Sequence, residues 1–385
     1  MRNNEKNKFM WRAAKLCSTL LFALFSFLYL YCMQSDLLAC FQYILSDGLT
    51  SYSPLVGGWV ITFLLVFLGE LLAYVWALPM QFVALSYFPS ALCLLFLTMW
   101  TPLPGGLVAP LHSWVWIGVI LFLGSGCVYL LKKYASFIVK DKYSFTDIWS
   151  NLVFLLLLFL AVGGLGNTCD TLHRLLRAER LLDEERFDVI ADLRTYSRVE
   201  SHTYSAIRAL ALANEHRLGE ELFRMPQCEG AKELLVSERD FLSHDSLDYK
   251  FYGFWGARPG KHVQEKPDLF FKMILDRHLC DSLHRSDVAD YYLSSLLLDR
   301  KLDQFAAEVE NYYPLNDSLP RHYQEALILY KRIRTAPVCV YQNESLEENY
   351  NDYLQISREK SAPVVIQNKL RKAFGASYWF YYYKQ

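Results

Sequence analysis

The stretch FLAVGGLGNTCDTLHRLLRAER, residues 159–180, separates two regions of opposite composition. Residues 1–166 carry nine Lys and Arg and six Asp and Glu, whereas residues 167–385 carry thirty and thirty-four. The first region therefore has few charges and long apolar runs, and the second has a charged residue every few positions. This asymmetry predicts an integral membrane region followed by a soluble one, and the net charge of −1 does not favour nucleic acid as a partner.

Five apolar stretches in the first region are long enough to cross a bilayer, which takes about 20 residues of helix. They cover residues 15–33, 55–78, 82–100, 114–131 and 148–165. Pro89 predicts a kink in the third. The first is too long for a signal peptide and no small-residue cleavage site follows it, so we interpret it as a retained anchor. The predicted fold is an all-α bundle of five transmembrane helices over residues 15–166, preceded by a basic tail at 1–14.

Basic residues ahead of Arg174 occur in two clusters, one in the N-terminal tail and one between Lys132 and Lys142. Lys and Arg close to the ends of spans are retained on the cytoplasmic side. With five spans both clusters fall on one side of the membrane, whereas a missed or extra span would separate them. We therefore expect a cytoplasmic N-terminus and a domain at residues 167–385 that lies outside the cytoplasm.

The loop after the first span contains SDLLACFQYILSD, residues 35–47, which has the spacing of a short amphipathic helix. Its apolar face would contain Leu37, Leu38, Phe41, Ile44 and Leu45. Such a helix either lies in the outer membrane–water interface or packs over the transmembrane bundle, and the sequence leaves both alternatives open.

The second region predicts helix after helix, joined by short polar breaks. Residues 171–193 predict a helix broken near Asp183–Glu185, and residues 201–223 predict two helices joined by a glycine-containing turn. Residues 285–314 predict another pair, and Pro320 marks the start of a further helix. Paired helices of this kind are typical of stacked hairpins, so we predict a soluble, tetratricopeptide-like domain at 167–385, with an irregular helical domain as the alternative.

Four segments carry a resemblance to a known family: FSFLYLYCMQSDLLACFQYILSDGLTSYSPLVG (25–57), ALALANEHRLGEELFRMPQ (209–227), LPRHYQEALILY (319–330) and SYWFYYYKQ (377–385). They resemble an uncharacterised family of bacterial multi-pass membrane proteins with a tetratricopeptide-like C-terminal half, known only as a domain of unknown function. The resemblance implies a protein of the bacterial inner membrane with a periplasmic second half. It supplies no catalytic residues.

Glu70 is the one acidic residue inside a predicted span, and a carboxylate in a membrane is costly and often functional. Tyr74 follows one helical turn later and is expected to hydrogen-bond to it. A proton-linked role is one interpretation of this pair. A structural hydrogen bond inside the bundle is the other.

The segment FYGFWGARPGKHVQEKPD, residues 251–268, interrupts the helical pattern with glycine and proline. Phe254, Trp255, Arg258 and Lys261 place aromatic and basic groups on the resulting loop, a combination that suits a glycan or an anion. The alternative, which we favour, is a long connection between helix pairs, since the sequence has no phosphate-loop motif.

No metal site or cofactor is predicted. Asp276, Cys280 and His284 share one helical face, but His278 points away from them, so zinc ligands do not converge. The cysteines of the second region favour free thiols over disulfides, although an oxidising compartment would permit three pairings. These cysteines are Cys169, Cys228, Cys280 and Cys339.

The aromatic segment FGASYWFYYYKQ, residues 374–385, is predicted to cap the apolar end of the helical array or, alternatively, to rest on the membrane surface. No catalytic motif is recognisable in the sequence. The first functional hypothesis is therefore a scaffold that binds a protein partner of the cell envelope. The second is an enzyme or transporter component that handles a lipid-linked or polysaccharide substrate, with Glu70, Asp36 and the 251–268 loop as participants.

Overall fold

The chain forms two compact units in the computed structural model. The N-terminal unit contains Met1–Leu176 and Leu242–His244, and the C-terminal unit contains Arg177–Phe241 and Asp245–Gln385. The structure describes residues 2–46, 48–103, 106–108, 118, 124, 126, 129–130, 133, 145–193, 201–225, 230–237, 240–243, 247–260, 266–277, 285–359 and 362–383. Over these residues the protein is almost entirely helical, as the sequence predicts.

The N-terminal unit has long apolar helices and one small hairpin of two strands. Its described helices are α1 (Arg2–Leu28), α2 (Ser35–Leu45), α3 (Pro54–Trp76), α4 (Phe88–Thr98), α5 (Phe145–Leu165) and α6 (Asp170–Asp183), the last of which starts in this unit. A π-helical turn at Tyr29–Met33 continues α1, and a 3-10 helix at Met80–Tyr87 runs into α4. The strands β1 (Thr101–Leu103) and β2 (Gly106–Val108) pair in antiparallel fashion.

Four described helical segments are long and apolar enough to cross a membrane. They are Arg12–Met33, Pro54–Trp76, Gln81–Thr98 and Ile148–Leu165. These segments coincide with the first, second, third and fifth predicted spans. The fourth predicted span, residues 114–131, lies almost entirely outside the described residues.

The third of these segments changes its helical geometry part-way along. Residues 80–87 form the 3-10 helix, and the α-helix begins at Phe88, so that Pro89 sits in the first turn of α4. Proline is tolerated in a first turn, where its missing N–H has no intrahelical partner to lose. The structure therefore shows a change of helix type next to Pro89 and a non-helical residue at Phe82, and the predicted kink at Pro89 itself stays a prediction.

The predicted short helix of the first loop is α2, and it packs against the core of the N-terminal unit. Leu37, Leu38 and Phe41 are buried there, and Ile44 is partly buried against the same cluster. Leu45, the last residue of α2, is 78% exposed and does not take part in this packing. The burial of the other apolar residues favours packing over the bundle, the second of the two alternatives.

The C-terminal unit consists of short helices of about one to four turns. After α6 its described helices are α7 (Phe187–Ala191), α8 (His202–Asn214), α9 (Leu218–Glu221), α10 (Leu247–Gly253), α11 (Pro267–Asp276), α12 (Arg285–Leu298), α13 (Leu302–Glu308), α14 (Arg321–Ile333), α15 (Glu344–Ser357), α16 (Pro363–Phe374) and α17 (Tyr378–Tyr383). Short 3-10 turns lie at Leu222–Arg224, Gly230–Leu234 and Val309–Asn311.

One turn geometry recurs three times in this unit, after α6, α8 and α12. Its central residue has a positive φ although it is not glycine: Glu185 (55°), His216 (54°) and Arg300 (57°). The N–H of this residue donates to the carbonyl three positions earlier, and the next N–H donates to the carbonyl five positions earlier. This is the Schellman pattern of helix C-termini, which usually contains glycine. The predicted glycine-containing turn is thus made by His216, and Gly219 lies inside α9.

Aromatic residues fill the core of the C-terminal unit. Trp255 is fully buried, with its ring centroid 5.0 Å from that of Phe251 and 4.9 Å from that of Tyr291. The aromatic segment after residue 374 is part of the same unit, because Tyr378 and Trp379 on α17 are buried. This placement supports the predicted packing of the segment on the helical array.

Glu325 on α14 anchors this segment. Its carboxylate accepts a hydrogen bond from the backbone N–H of Tyr378 at 2.7 Å, and its backbone carbonyl accepts one from Nε1 of Trp379 at 2.8 Å. The hydroxyl groups of Tyr378 and Tyr381 donate to the carbonyls of Leu297 and Leu298, the last two residues of α12. The segment thus adds hydrogen bonds at the C-terminal end of α12, where the carbonyl of Leu297 also accepts from the N–H of Arg300 in the turn.

Candidate functional site

The carboxylate of Glu70 lies at the centre of a polar cluster in the N-terminal unit. Its Oε2 is 2.6 Å from Nζ of Lys15 on α1. Its Oε1 accepts hydrogen bonds from Oγ1 of Thr19 at 2.8 Å and from the hydroxyl group of Tyr87 at 2.7 Å. We call Lys15, Thr19, Glu70 and Tyr87 the Glu70 cluster, and it joins α1, α3 and the 3-10 helix before α4.

Local sequence explains how the Glu70 cluster forms. Lys15 and Thr19 are four residues apart and therefore face the same side of α1. Gly69 lets the ring of Tyr87 approach α3, since a Cβ at this position would lie 2.4 Å from Cδ1 of Tyr87. The side chains of Lys15 and Glu70 remain 26% and 32% exposed, so the ion pair lies at the edge of the helix bundle.

Tyr74 does not join the Glu70 cluster. Its side chain is 84% exposed, and the hydroxyl groups beside the carboxylate belong to Thr19 and Tyr87. A spacing of four residues places two side chains on one face of a helix, but the partner of Glu70 is decided by which other helix covers that face. The carboxylate is thus neutralised by a cation and held by two hydroxyl groups, an arrangement that fastens helices together.

A second polar cluster joins the opposite ends of three helical segments. The backbone N–H of Asn167, just after α5, donates to the carbonyl of Thr98 at the end of α4 with a distance of 3.0 Å. The side-chain amide of Gln34, just after the first segment, donates to the carbonyl of Asn167 at 2.9 Å and to the hydroxyl group of Tyr29 at 3.1 Å. The C-terminal ends of these three segments therefore meet at one level.

A groove of about 480 Å³ opens beside this second cluster. Its apolar walls come from residues that follow α4 and α5 and from the start of α6. The lining residues are Met99, Thr101, Pro102, Leu165, Gly166, Asn167, Cys169, Leu172 and Leu242, all in the N-terminal unit. We call this the Asn167 groove.

Cys169 stands on the rim of the Asn167 groove with an exposed, free thiol. The hydrogen bond between its Sγ and Oγ1 of Thr171, 3.1 Å long, lowers the pKa of the thiol below its ordinary value, and the N–H of Leu172 acts in the same direction. Cys339 is also a free thiol but is buried. Cys228 and Cys280 lie outside the described residues, so the predicted pairing alternatives for them stay open.

The predicted binding loop is largely part of the protein core. Trp255 is buried among other aromatic rings, Phe254 is partly buried, and Arg258 forms an ion pair with the buried carboxylate of Asp248. The guanidinium of Arg258 also lies 4.9 Å from the ring centroid of Tyr249. Lys261 lies outside the described residues. These internal contacts favour a structural connection between helices over a binding loop.

The structure describes only part of the predicted His and Cys segment. Asp276 ends α11, whereas Cys280 and His284 lie outside the described residues. Within the described residues, no group of three or more His, Cys, Asp or Glu side chains is arranged to hold a metal ion.

Sequence reasoning missed a buried carboxylate cluster in the C-terminal unit. Asp290 on α12 accepts hydrogen bonds from the hydroxyl groups of Tyr313 at 2.7 Å and Tyr323 at 2.9 Å. Burial raises the pKa of Asp290 to about 6, although the two hydrogen bonds act to lower it. The nearby charge of Asp287 also raises this pKa. Asp287 itself is 2.7 Å from Nδ1 of His216. The signal available in the sequence was two acids, three residues apart, in a helix flanked by tyrosines.

Comparison with known proteins adds one match. Residues 261–385 match the model of a family of unknown function, DUF6057. Over that part of the chain, the match agrees with the predicted resemblance to an uncharacterised family. No curated protein and no solved structure matches the chain.

Proposed function

We propose that this chain is a five-span protein of the bacterial inner membrane that presents a periplasmic helical-repeat domain, residues 167–385, to a protein partner of the envelope. The observation that carries the proposal is the turn that recurs after α6, α8 and α12. Each copy has an acid, a residue with positive φ, a base and an apolar residue in succession. The four residues are Glu184–Phe187, Glu215–Leu218 and Asp299–Leu302.

A recurring turn supports a repeat architecture because the same backbone geometry, with the same two hydrogen bonds, ends the first helix of each pair. Helix pairs with one geometry can stack into an array that presents an extended concave surface, and such surfaces commonly bind proteins. In the tetratricopeptide-like interpretation these three turns are the centres of three hairpins. Residues of the unit outside the hairpins, such as Trp379 on α17, then close the array.

The meeting of helix ends supports five spans. The first, third and fifth predicted spans end together at Gln34, Thr98 and Asn167, so they run in the same direction. A chain that leaves the membrane after Thr98 and enters α5 at the other face must cross back in between. Residues 114–131 are the apolar stretch available for that crossing. The basic clusters at residues 2–15 and 132–142 then share the cytoplasmic face.

The Glu70 cluster supports an anchoring role for the membrane region. The carboxylate is already neutralised by Lys15 and bonded to two hydroxyl groups, which suits a fixed contact between helices. A proton carrier needs a carboxyl group that exchanges its proton during the cycle. We therefore assign Glu70 to the stability of the bundle.

Topology is the first test. An alkaline phosphatase fusion after Gln385 is expected to be active, because this enzyme folds only outside the cytoplasm, and a fusion after Lys142 is the matched inactive control. A green fluorescent protein fusion at the same two positions should give the reverse pattern. An inactive but intact fusion at Gln385 would contradict the proposal. In cells with the expected pattern, photo-crosslinking from exposed positions of the array, such as Val364 and Val365 on α16 (68% and 46% exposed), should capture one envelope protein reproducibly.

The Asn167 groove favours a second candidate function, a component that handles a lipid-linked or polysaccharide substrate. Here Glu70 and Asp36 would contact substrate or protons, so Glu70→Gln and Asp36→Asn should each abolish complementation of a deletion strain at normal protein levels. Under the scaffold proposal both variants complement, while substitutions on the helical array do not. Complementation at matched expression therefore separates the two functions.

A further inference from the structure

The Asn167 groove begins where two membrane-length segments end. The third segment ends at Thr98 and the fifth at Leu165, and the lining residues Met99, Leu165 and Asn167 lie at or directly after those ends. Once α4 and α5 are in a bilayer, this level is the boundary between hydrocarbon and headgroups. The groove is therefore continuous with the lipid at its lower edge.

The lining of the groove combines apolar side chains, which we call its apolar wall, with polar ones, which we call its polar rim. Five of the lining residues are apolar: Met99, Pro102, Leu165, Leu172 and Leu242. Thr101, Asn167 and Cys169 supply a hydroxyl group, an amide and a thiol. Gly166 lets the backbone approach the π-helical turn after α1, since a Cβ there would lie 2.2 Å from the hydroxyl oxygen of Tyr29. The volume of about 480 Å³ lies within the usual range for small-molecule sites.

We propose that the Asn167 groove binds one acyl chain of a phospholipid from the leaflet in which α4 and α5 end, with the glycerol ester region at the polar rim. The occupant follows from position, because phospholipid is the apolar molecule present at this boundary at high concentration. The chemistry also agrees. The transfer of methylene groups from water to the apolar wall is favourable in free energy, and ester oxygens accept hydrogen bonds from amide and hydroxyl donors. This site goes beyond the proposed scaffold role and does not depend on it.

The test uses the full chain in nanodiscs of phosphatidylethanolamine and phosphatidylglycerol with a trace of phospholipid that carries a diazirine on one acyl chain. Light-induced crosslinks are mapped by mass spectrometry. We expect adducts on residues 165–172, and also on Leu160, which is 63% exposed on α5 and would face bulk lipid. When the protein is first exchanged into lipid-free detergent and only then irradiated, adducts at 165–172 should still form while those at Leu160 should not.

Cys169 provides a matched pair of variants because its side chain is exposed and tolerates change. Cys169→Trp fills the groove from its rim and should reduce the retained adduct about tenfold, the effect of displacing a few methylene groups. Cys169→Ser keeps the size and the hydrogen bond with Thr171 and should retain the adduct. Met99→Trp fills the groove from another lining position and should act like Cys169→Trp.

Two results would overturn the proposal. One is loss of the adducts at 165–172 together with those at Leu160 on detergent exchange, which would mean bulk lipid only. The other is full retention of the adduct in both tryptophan variants. The Leu160 adduct in nanodiscs serves as the control for membrane insertion and folding of each variant, and neither result bears on the topology fusions.

Discussion

The two units of the molecule differ in whether large apolar side chains lie on their outer surface or in their core. In the N-terminal unit large apolar residues face outward, with Phe63 70% and Leu160 63% exposed. In the C-terminal unit residues of the same kind, such as Phe270 and Tyr323, are fully buried. Apolar surface is stable against lipid and unstable against water, so each pattern reports the solvent that its unit meets.

The units also differ in where their polar contacts lie. In the N-terminal unit, the Glu70 cluster and the Gln34–Asn167 contacts fasten the two ends of a bundle whose middle is apolar. In the C-terminal unit, Asp290 and Glu325 are buried inside the core and hold separate helices together. In the proposed topology, lipid stabilises the apolar surface of the N-terminal bundle over most of its length, so polar contacts are needed mainly near its ends. The short helices of the C-terminal unit are instead held together by polar contacts inside the core.

The largest effect should come from removing a ring on the buried side of this comparison. Trp379→Ala should lower the free energy of unfolding of the C-terminal unit by about 4 kcal/mol, because it leaves a large cavity and removes the hydrogen bond from Nε1 to the carbonyl of Glu325. Urea unfolding of the purified chain in detergent measures the loss. Phe63→Ala, which removes an exposed ring from the other unit, should change stability by less than about 1 kcal/mol. Equal effects would contradict the assignment of solvents.

Asp290 gives the second largest effect and a dependence on pH. Its folded-state pKa, about 6, lies above the ordinary 3.8, so folding favours the neutral carboxyl group. Its contribution is therefore fully favourable below pH 3.8 and is lost as the pH rises through 6. By pH 7 the loss should reach about 3 kcal/mol, and Asp290→Asn should avoid it while keeping an oxygen for Tyr313 and Tyr323.

The measurement for Asp290 is the difference in unfolding free energy between variant and parent at several pH values from 4 to 7. Asp303→Asn is the control, since Asp303 is an exposed carboxylate paired with Arg334 and should give a nearly flat difference. If the difference in unfolding free energy for Asp290→Asn were also independent of pH, Asp290 would be charged and stable in the core.

The Glu70 cluster should give an effect of about 2 kcal/mol in the N-terminal unit. Glu70→Ala removes the partner of Lys15 and two hydrogen bonds, while Glu70→Gln keeps the hydrogen-bond acceptor and should lose less. Unfolding by titration with sodium dodecyl sulfate reports on this unit. Tyr74→Phe should leave this stability unchanged. A loss of stability as large as that of Glu70→Ala would instead support the Glu70–Tyr74 hydrogen bond expected from the sequence.

The smallest effect concerns the recurring turn. Glu185→Gly should stabilise the C-terminal unit by about 1 kcal/mol, because glycine adopts a positive φ without steric cost. Glu184→Gly, one residue earlier, should destabilise it by a similar amount. Thermal unfolding of the two variants provides the comparison. If both variants or neither stabilise the unit, the positive φ is not specific to Glu185 and the turn is described wrongly.

The positions of long apolar helices and of helix breaks were predictable from the sequence, whereas side-chain contacts between distant residues were not. Apolar length located the four described membrane-length helices, and the break near Asp183–Glu185 located the end of α6. The partners of Glu70 lie 51 residues earlier and 17 residues later, so no local spacing contains them. Trp255 looked like a ligand-binding residue because composition alone does not distinguish an exposed aromatic loop from a buried one.

The three similar turns are hard to recognise in the sequence, and their central residues show why. The position with positive φ usually contains glycine, which is the residue that a sequence pattern recognises. Here Glu185, His216 and Arg300 adopt the same conformation, so the geometry repeats while the expected residue does not. His216 and Arg300 use their side chains on Asp287 and Tyr381, contacts that glycine could not make.

The contact between Gln34 and Asn167 has a consequence for biosynthesis. The two residues are 133 positions apart, so in the proposed topology the first span would enter the membrane long before its partner has been translated. Until α5 arrives, the buried amide of Gln34 can reach the hydroxyl group of Tyr29 but lacks its second acceptor. We expect the finished bundle to form late, as the last of these helices leaves the translocon, and an interrupted chain to carry an unsatisfied amide that distinguishes it from a complete one.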